Sequence, residues 1–248
     1  MALIDQLVAS PCCNPELGLD EALSAYADLG FKKFEVFDSW AGSAFDIYGD
    51  VDFYANKLSE YGLKATSMHL PSIGEDLDIT DAVVGARFAD ALGCTTAFFK
   101  AETRDLYIRA AGPFLDAVED LSVVPIIQNH SGTSLATLDD YREVLAGIND
   151  PRMGTCLEVG HFHSVDVSWS AGRSLLGESI RLVHIKDQVG PQSVPFGTGE
   201  IDLPGLFAAM NAMGYTGDYV VEMEVEDAEN TLKYLADAIA YLQENCEV

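Results

Sequence analysis

Basic residues are scarce in this chain: 14 Lys and Arg stand against 40 Asp and Glu, a formal net charge of −26 and a pI near 4.2. A surface of that sign repels phosphate backbones and anionic lipid headgroups, so nucleic acid and membranes are not expected as partners. Long apolar runs are missing as well. No stretch reaches the roughly 18 residues of a membrane span. The start MALIDQLVAS has no basic flank before its short apolar stretch, which reads as a mature chain that is not exported. The five cysteines, Cys12, Cys13, Cys94, Cys156 and Cys246, are odd in number and show no C-x-x-C spacing, so a disulfide framework is not indicated and a reducing cytoplasm fits best. Nucleotide-binding signatures are absent too: Gly197-Thr198-Gly199 follows no strand directly and lacks the third glycine of a dinucleotide fingerprint.

Hydrophobic residues make up 48% and the mean hydropathy is +0.10, so the acidity decorates a chain able to bury a core. A length of 248 residues suits one large domain over 1–248. Apolar, β-branched runs start near Leu3, Lys33, Leu63, Thr95, Val123, Met153, Ile180 and Asp218, at spacings of 30, 30, 32, 28, 30, 27 and 38. A period near 30 is what a strand, a helix and two short connections require. Helical patterns lie between the runs, as in Val51, Tyr54, Leu58 and Tyr61, or Leu138, Tyr141, Leu145 and Ile148. Runs such as Val123-Val124-Pro125-Ile126-Ile127 are apolar on both faces, which suits a parallel sheet covered by helices. The expectation is an α/β chain folded as a (β/α)8 TIM barrel, with an open doubly wound sheet as the alternative.

Barrel enzymes carry their reactive groups where strands end. The predicted strands end in Glu35, His69, Lys100, Gln128-Asn129-His130, Glu158 with His161 and His163, His184-Ile185-Lys186-Asp187, and Glu222, a set that contains all five histidines of the chain. A lone histidine is usually structural, and His130 or His163 singly reads that way; five at one rim point to a site. Cys12 and Cys13 fall at the same rim without a specified base and read as ordinary loop thiols.

In Phe34-Glu35-Val36, Gln128-Asn129-His130, Leu157-Glu158-Val159-Gly160-His161, His184-Ile185-Lys186-Asp187, Gly197-Thr198-Gly199-Glu200-Ile201-Asp202, Gly214-Tyr215-Thr216-Gly217 and Glu222, the chain resembles the xylose-isomerase-like TIM barrel family of sugar phosphate isomerases and epimerases, within the endonuclease-IV-like superfamily. The resemblance implies a divalent metal, Mn²⁺, Mg²⁺, Co²⁺ or Zn²⁺, held by Gln128, Glu158, His184 and Glu222. Two positions depart from the family pattern: Gln128 replaces a glutamate and Glu158 an aspartate. Gln128 removes one negative ligand and one of the two carboxylates that family epimerases use as bases, which lowers metal affinity and leaves more Lewis acidity at the ion.

The implied activity is isomerisation or epimerisation of a small sugar or related hydroxy-ketone through a metal-stabilised enediolate. Glu222 is the expected base, with Glu158 or His69 as proton partner. Glu35, Lys100, His161 and Lys186 would position the substrate, although Lys100 could instead form a salt bridge to Glu35 or Glu102, and Lys186 with Asp187 a charge pair that buttresses His184. Loss of the strand-five carboxylate leaves open a metal-dependent lyase or dehydratase on the same barrel, and a decayed metal site would leave a non-catalytic sugar-binding barrel. The endonuclease branch needs a basic DNA-facing surface that this composition lacks. A homo-oligomer stays open.

Overall fold

The computed structural model describes residues 3–246. Eight parallel strands close into a barrel: β1 (Leu7–Ala9), β2 (Lys33–Val36), β3 (Lys64–Ile73), β4 (Thr96–Ala101), β5 (Val124–Gln128), β6 (Gly154–Glu158), β7 (Ile180–Ile185) and β10 (Asp218–Val221), the last pairing back onto β1. The helices α1 (Leu19–Asp28), α2 (Val51–Glu60), α3 (Thr80–Ala91), α4 (Arg104–Ala117), α5 (Leu138–Ile148), α6 (Val159–His163), α7 (Trp169–Leu176), α8 (Leu203–Ala212) and α9 (Thr231–Asn245) lie between and after the strands. This is a TIM barrel, as the spacing predicts. The one long interval, before β10, contains an antiparallel hairpin of β8 (Gln188–Val189) and β9 (Gln192–Ser193). Among the described residues no helix is long and apolar enough to cross a membrane.

Two expected boundaries move. The first apolar run opens with a 3-10 turn at Leu3–Gln6, so β1 begins only at Leu7. Strand three does not end at His69. It runs on to Ile73 against β4, with the register slipping between His69 and Ser72, a local irregularity of the kind that re-aims side chains near sites.

Strand side chains alternate between faces, and that period aims the polar residues. Val8, Phe98, Ile126, Cys156, Leu182 and Val220 form one buried cluster inside the barrel. Two residues further along the same strands come Ser10, Lys100, Gln128, Glu158, His184 and Glu222, which therefore point inward one layer higher. The alternate positions pack outward on the helices in the larger core.

The helices are fixed by local chemistry as well as by packing. The α5 stripe buries Tyr141, whose single hydroxyl hydrogen is shared between the Cys156 carbonyl at 2.9 Å and the Ile127 carbonyl at 3.2 Å, linking helix to barrel at a net value of about 1 kcal/mol. Thr137 and Asp140 cap the start of α5 reciprocally, and Asn149 ends it at φ 45°, a left-handed conformation that asparagine tolerates better than most residues.

Candidate active site

His184 is the hub. Its ring is fully buried and uses both nitrogens. Nδ1 lies 3.0 Å from Glu222 Oε1, 3.3 Å from Glu158 Oε2 and 3.3 Å from Gln128 Nε2. On the opposite edge Nε2 meets Glu35 Oε2 at 3.2 Å. Burial opposes charge on this imidazole, but the Cys156 sulfur, Glu35 and Glu222 outweigh it and hold its pKa well above the ordinary range.

The ligating atoms of Glu158, His184 and Glu222 all lie within 4.8 Å of one another, a grouping able to hold a metal ion; Glu35, His69 and His184 form a second grouping of that kind. Hydrogen bonding decides between them. Both Glu35 oxygens are occupied: Ser67 Oγ donates to Oε2 at 2.8 Å and Ser10 Oγ to Oε1 at 3.2 Å, besides the two histidines. Glu158 is different. Its Oε1 accepts the backbone N–H groups of Gly160 and His161 at the start of α6, while the buried Oε2 has no hydrogen-bond partner. One imidazole N–H cannot serve two carboxylates, and an unsatisfied buried carboxylate oxygen is costly. The surplus of acceptors fits a cation at this point, with Glu35 behind His184 as the carboxylate that orients a ligand histidine.

Glu35 therefore does not stand where a substrate-positioning role needs it. It is fully buried and lies beneath the cavity, where burial alone would raise its pKa but His184 and His69 draw it down to about 2. The expected Lys186–Asp187 pair is likewise absent. Lys186 Nζ sits 3.1 Å from Glu222 Oε2 and 2.6 Å from Glu224 Oε2, whereas Asp187 accepts backbone N–H groups from Gln188, Gly197, Gly199 and Ile201. Neighbouring residues on an extended chain face opposite ways, so Lys186 shares the inward face of His184 and Asp187 does not. Lys100 pairs with neither Glu35 nor Glu102; its Nζ is 3.5 Å from Asp38 Oδ1.

Above this layer opens a cavity of about 560 Å³, within the range of small-molecule sites. Gln128, His69, Lys100, His161 and Glu222 line it, whereas Glu158 is fully buried and does not. His69 is sandwiched between Phe37 at 4.3 Å and Phe98 at 4.1 Å, and burial lowers its pKa. His161 accepts from or donates to Ser131 Oγ at 2.9 Å, its ring lies against that of His130 at 3.7 Å with a 34° tilt, and burial lowers its pKa too. Burial raises the pKa of Glu222, but Lys186 and His184 win and hold it well below the usual carboxylate range.

A family model for xylose isomerase-like TIM barrels matches residues 23–245. The chain belongs to that family. It is 26% identical over 171 residues to an inosose dehydratase of Geobacillus thermodenitrificans, covering 60% of this chain and 56% of that one. A shorter stretch of 58 residues is 41% identical to an L-ribulose-5-phosphate 3-epimerase of Salmonella paratyphi C, covering 23% and 20%. The chain thus aligns with little more than half the length of one relative and a fifth of the other. The structure superposes on an IolI protein carrying a zinc atom with a TM-score of 0.79, at 15% identity over 98% of this chain and 100% of that one, a likeness of fold.

Within this xylose isomerase-like barrel, sequence reasoning passed over the cavity's aromatic wall. Phe37, Trp40 and Tyr107 line it; Trp40 is 60% exposed, sits at φ 56° and meets Phe37 edge-on at 5.1 Å. A large exposed aromatic in a left-handed backbone is uncommon and marks a site where strain is tolerated. Phe37, two residues after Glu35, was the available signal. Cys12, a free thiol, also lines the cavity, but a hydrogen bond with Cys13 and burial push its thiol pKa well up, which disfavours the reactive thiolate.

Proposed function

We propose that this barrel is a metal-dependent isomerase or epimerase that removes a proton beside the carbonyl of a small sugar or related hydroxy-ketone. The observation that carries the reading is the unsatisfied, buried Glu158 Oε2 facing His184 and Glu222, of which Glu222 lines the cavity. Glu158, His184 and Glu222 would hold the ion, with Gln128 as a neutral fourth ligand through its amide oxygen. When bound, a divalent ion polarises adjacent substrate oxygens and so acidifies the C–H between them. Which ion it is, Mn²⁺, Mg²⁺, Co²⁺ or Zn²⁺, is not distinguished by this donor set.

Glu222 is the base, because it alone of the two site carboxylates reaches the cavity. Its second oxygen, Oε2, is anchored by Lys186, which fixes the carboxylate's orientation at the cost of basicity. His69, which also lines the cavity, would be the proton partner in place of Glu158, and His161 and Lys100 would offer hydrogen bonds to substrate hydroxyls. Gln128, a side chain with no ionisable group to act as a second base, favours a second reading: a dehydratase needs one base and an assisted leaving group, and the matched inosose dehydratase carries that chemistry in its name.

Incubation with a panel of keto sugars and inososes in D₂O separates these readings. Solvent deuterium in a product of unchanged composition marks isomerisation, and loss of water marks elimination. Glu222→Gln should lower exchange by at least about 100-fold. Full exchange in that variant removes Glu222 as the base.

A further inference from the structure

Phosphate esters in βα barrels are commonly held by backbone N–H groups in the glycine-rich loops after the seventh and eighth strands and at adjacent helix N-termini. Here the donors of the loop after the seventh barrel strand, β7, and of the α6 and α8 N-termini are already taken by the chain's own carboxylates, and the loop after the eighth, β10, contains no glycine. Gly197 and Gly199 donate to Asp187 Oδ2 at 2.8 and 2.9 Å, and Gln188 and Ile201 to Oδ1 at 3.0 and 3.3 Å. The fit leaves no slack, since a Cβ on Gly199 would run into the Asp187 carboxylate. Asp202 caps α8 through Gly205, and Glu158 caps α6 through Gly160 and His161. A phosphate would have to displace an anion that is covalently part of the protein.

The cavity wall offers no replacement. Of the 14 Lys and Arg, all within the described residues, Lys100 alone lines the cavity, and it is shared with Asp38. Lys186 is buried between Glu222 and Glu224. Glu102, Glu222 and Glu224 also face the cavity, so the wall's own side chains are net negative and a bound divalent ion does no more than offset them, and no arginine lines the cavity for the bidentate contacts that phosphate recognition favours. We propose that the site takes an unphosphorylated, uncharged polyhydroxy ketone and discriminates against its phosphomonoester. This rests on the carbohydrate reading above and narrows it.

The test is calorimetric binding to the metal-loaded full-length protein at about pH 8, where ordinary imidazoles are neutral. The probes are inosose, L-ribulose with L-ribulose 5-phosphate, D-fructose with D-fructose 6-phosphate, and millimolar inorganic phosphate. The expected result is binding of at least one uncharged ketone, with each phosphomonoester at least about tenfold weaker than its parent and no competition by inorganic phosphate. A phosphomonoester that binds as tightly as its parent, or competition by phosphate, overturns this inference and leaves the carbohydrate reading standing. Binding of no probe overturns both. Glu102→Lys, a change at an exposed position, should shrink the ratio between parent and ester. An unchanged ratio would refute wall charge as its cause.

Discussion

Replacing Gln128 with glutamate would put a third carboxylate around His184 Nδ1, at the 3.3 Å now held by the amide. Glu158 and Glu222 lie 3.3 and 3.0 Å from the same nitrogen, so the new charge falls within about 6.5 Å of each. At an effective dielectric of about 20, each repulsion is worth roughly 3 kcal/mol and the attraction to a protonated His184 roughly 5 kcal/mol. In the metal-free protein these nearly cancel, so stability should fall by the cost of burying another carboxylate, several kcal/mol. A divalent ion presents twice the imidazolium's charge, which adds about 5 kcal/mol of attraction, while the cost of burying the carboxylate is the same with or without the ion and drops out of the affinity. The gain should reach at least about 1.4 kcal/mol, a tenfold tighter metal affinity, read by competition titration against a chelator. Turnover need not follow. A one-base isomerase or a dehydratase built around the amide should slow as the extra charge quenches the ion's Lewis acidity, whereas an epimerase short of a base should speed up. Unchanged metal affinity would show that residue 128 is out of the ion's reach and that the family alignment on strand five is misplaced.

Glu35→Gln keeps every proposed ligand but loses the carboxylate behind His184, and the same titration should show metal affinity lower by about 10- to 100-fold; no change would confine Glu35 to a packing role. Because Glu35 is held at about 2 against an ordinary 4.5, with His184 and His69 overriding burial, its contribution to stability is complete above about pH 4.5 and is lost as pH falls toward 2. The unfolding free energy of the metal-stripped protein, from urea titrations, should therefore drop between pH 6 and 3, by about 2 kcal/mol from this group, with a shallower slope in Glu35→Gln. Tyr141→Phe removes the shared hydroxyl bond that ties α5 to the barrel and should cost about 1 to 3 kcal/mol in a denaturant titration without altering metal affinity. Raising salt should strip ions attracted by the −26 surface while one buried ion per chain persists, since exposed charges are screened far more strongly than buried ones; loss of all bound metal would count against the site.

The barrel and the inward ring were legible because both rest on periods. Spacing near 30 residues gave the strands, and the two-residue alternation from Ile126 to Gln128, Cys156 to Glu158, Leu182 to His184 and Val220 to Glu222 gave the layer above the apolar plug. What a period cannot carry is which nitrogen of a histidine meets which neighbour. Glu35 shares the inward parity of the other site residues, yet the register of β2 on β3, Glu35 against Ser67, sinks it to the level of His184 Nε2, and register is a property of two strands rather than one. The same alternation separates Lys186 from Asp187, which is why the two do not pair. The overrun of β3 to Ile73 and the left-handed Trp40 had no comparable signal, as each depends on backbone geometry set by neighbouring elements.

The acidity of the chain and the acidity of the site are different quantities. On the surface, carboxylates remain solvated and cost little. In the barrel mouth, Glu35, Glu158 and Glu222 are buried against two cations, His184 and Lys186, so the layer carries one negative charge more than it can balance alone. A glutamate at 128 would make that excess two. With the amide, the excess rests on one oxygen, Glu158 Oε2, which is the atom left without a partner. Burying one uncompensated charge is tolerable for a domain whose net stability is about 5 to 15 kcal/mol, and burying two approaches that whole margin. On the proposed reading, Gln128 therefore gives up affinity for the ion in return for a barrel that can fold before the ion arrives.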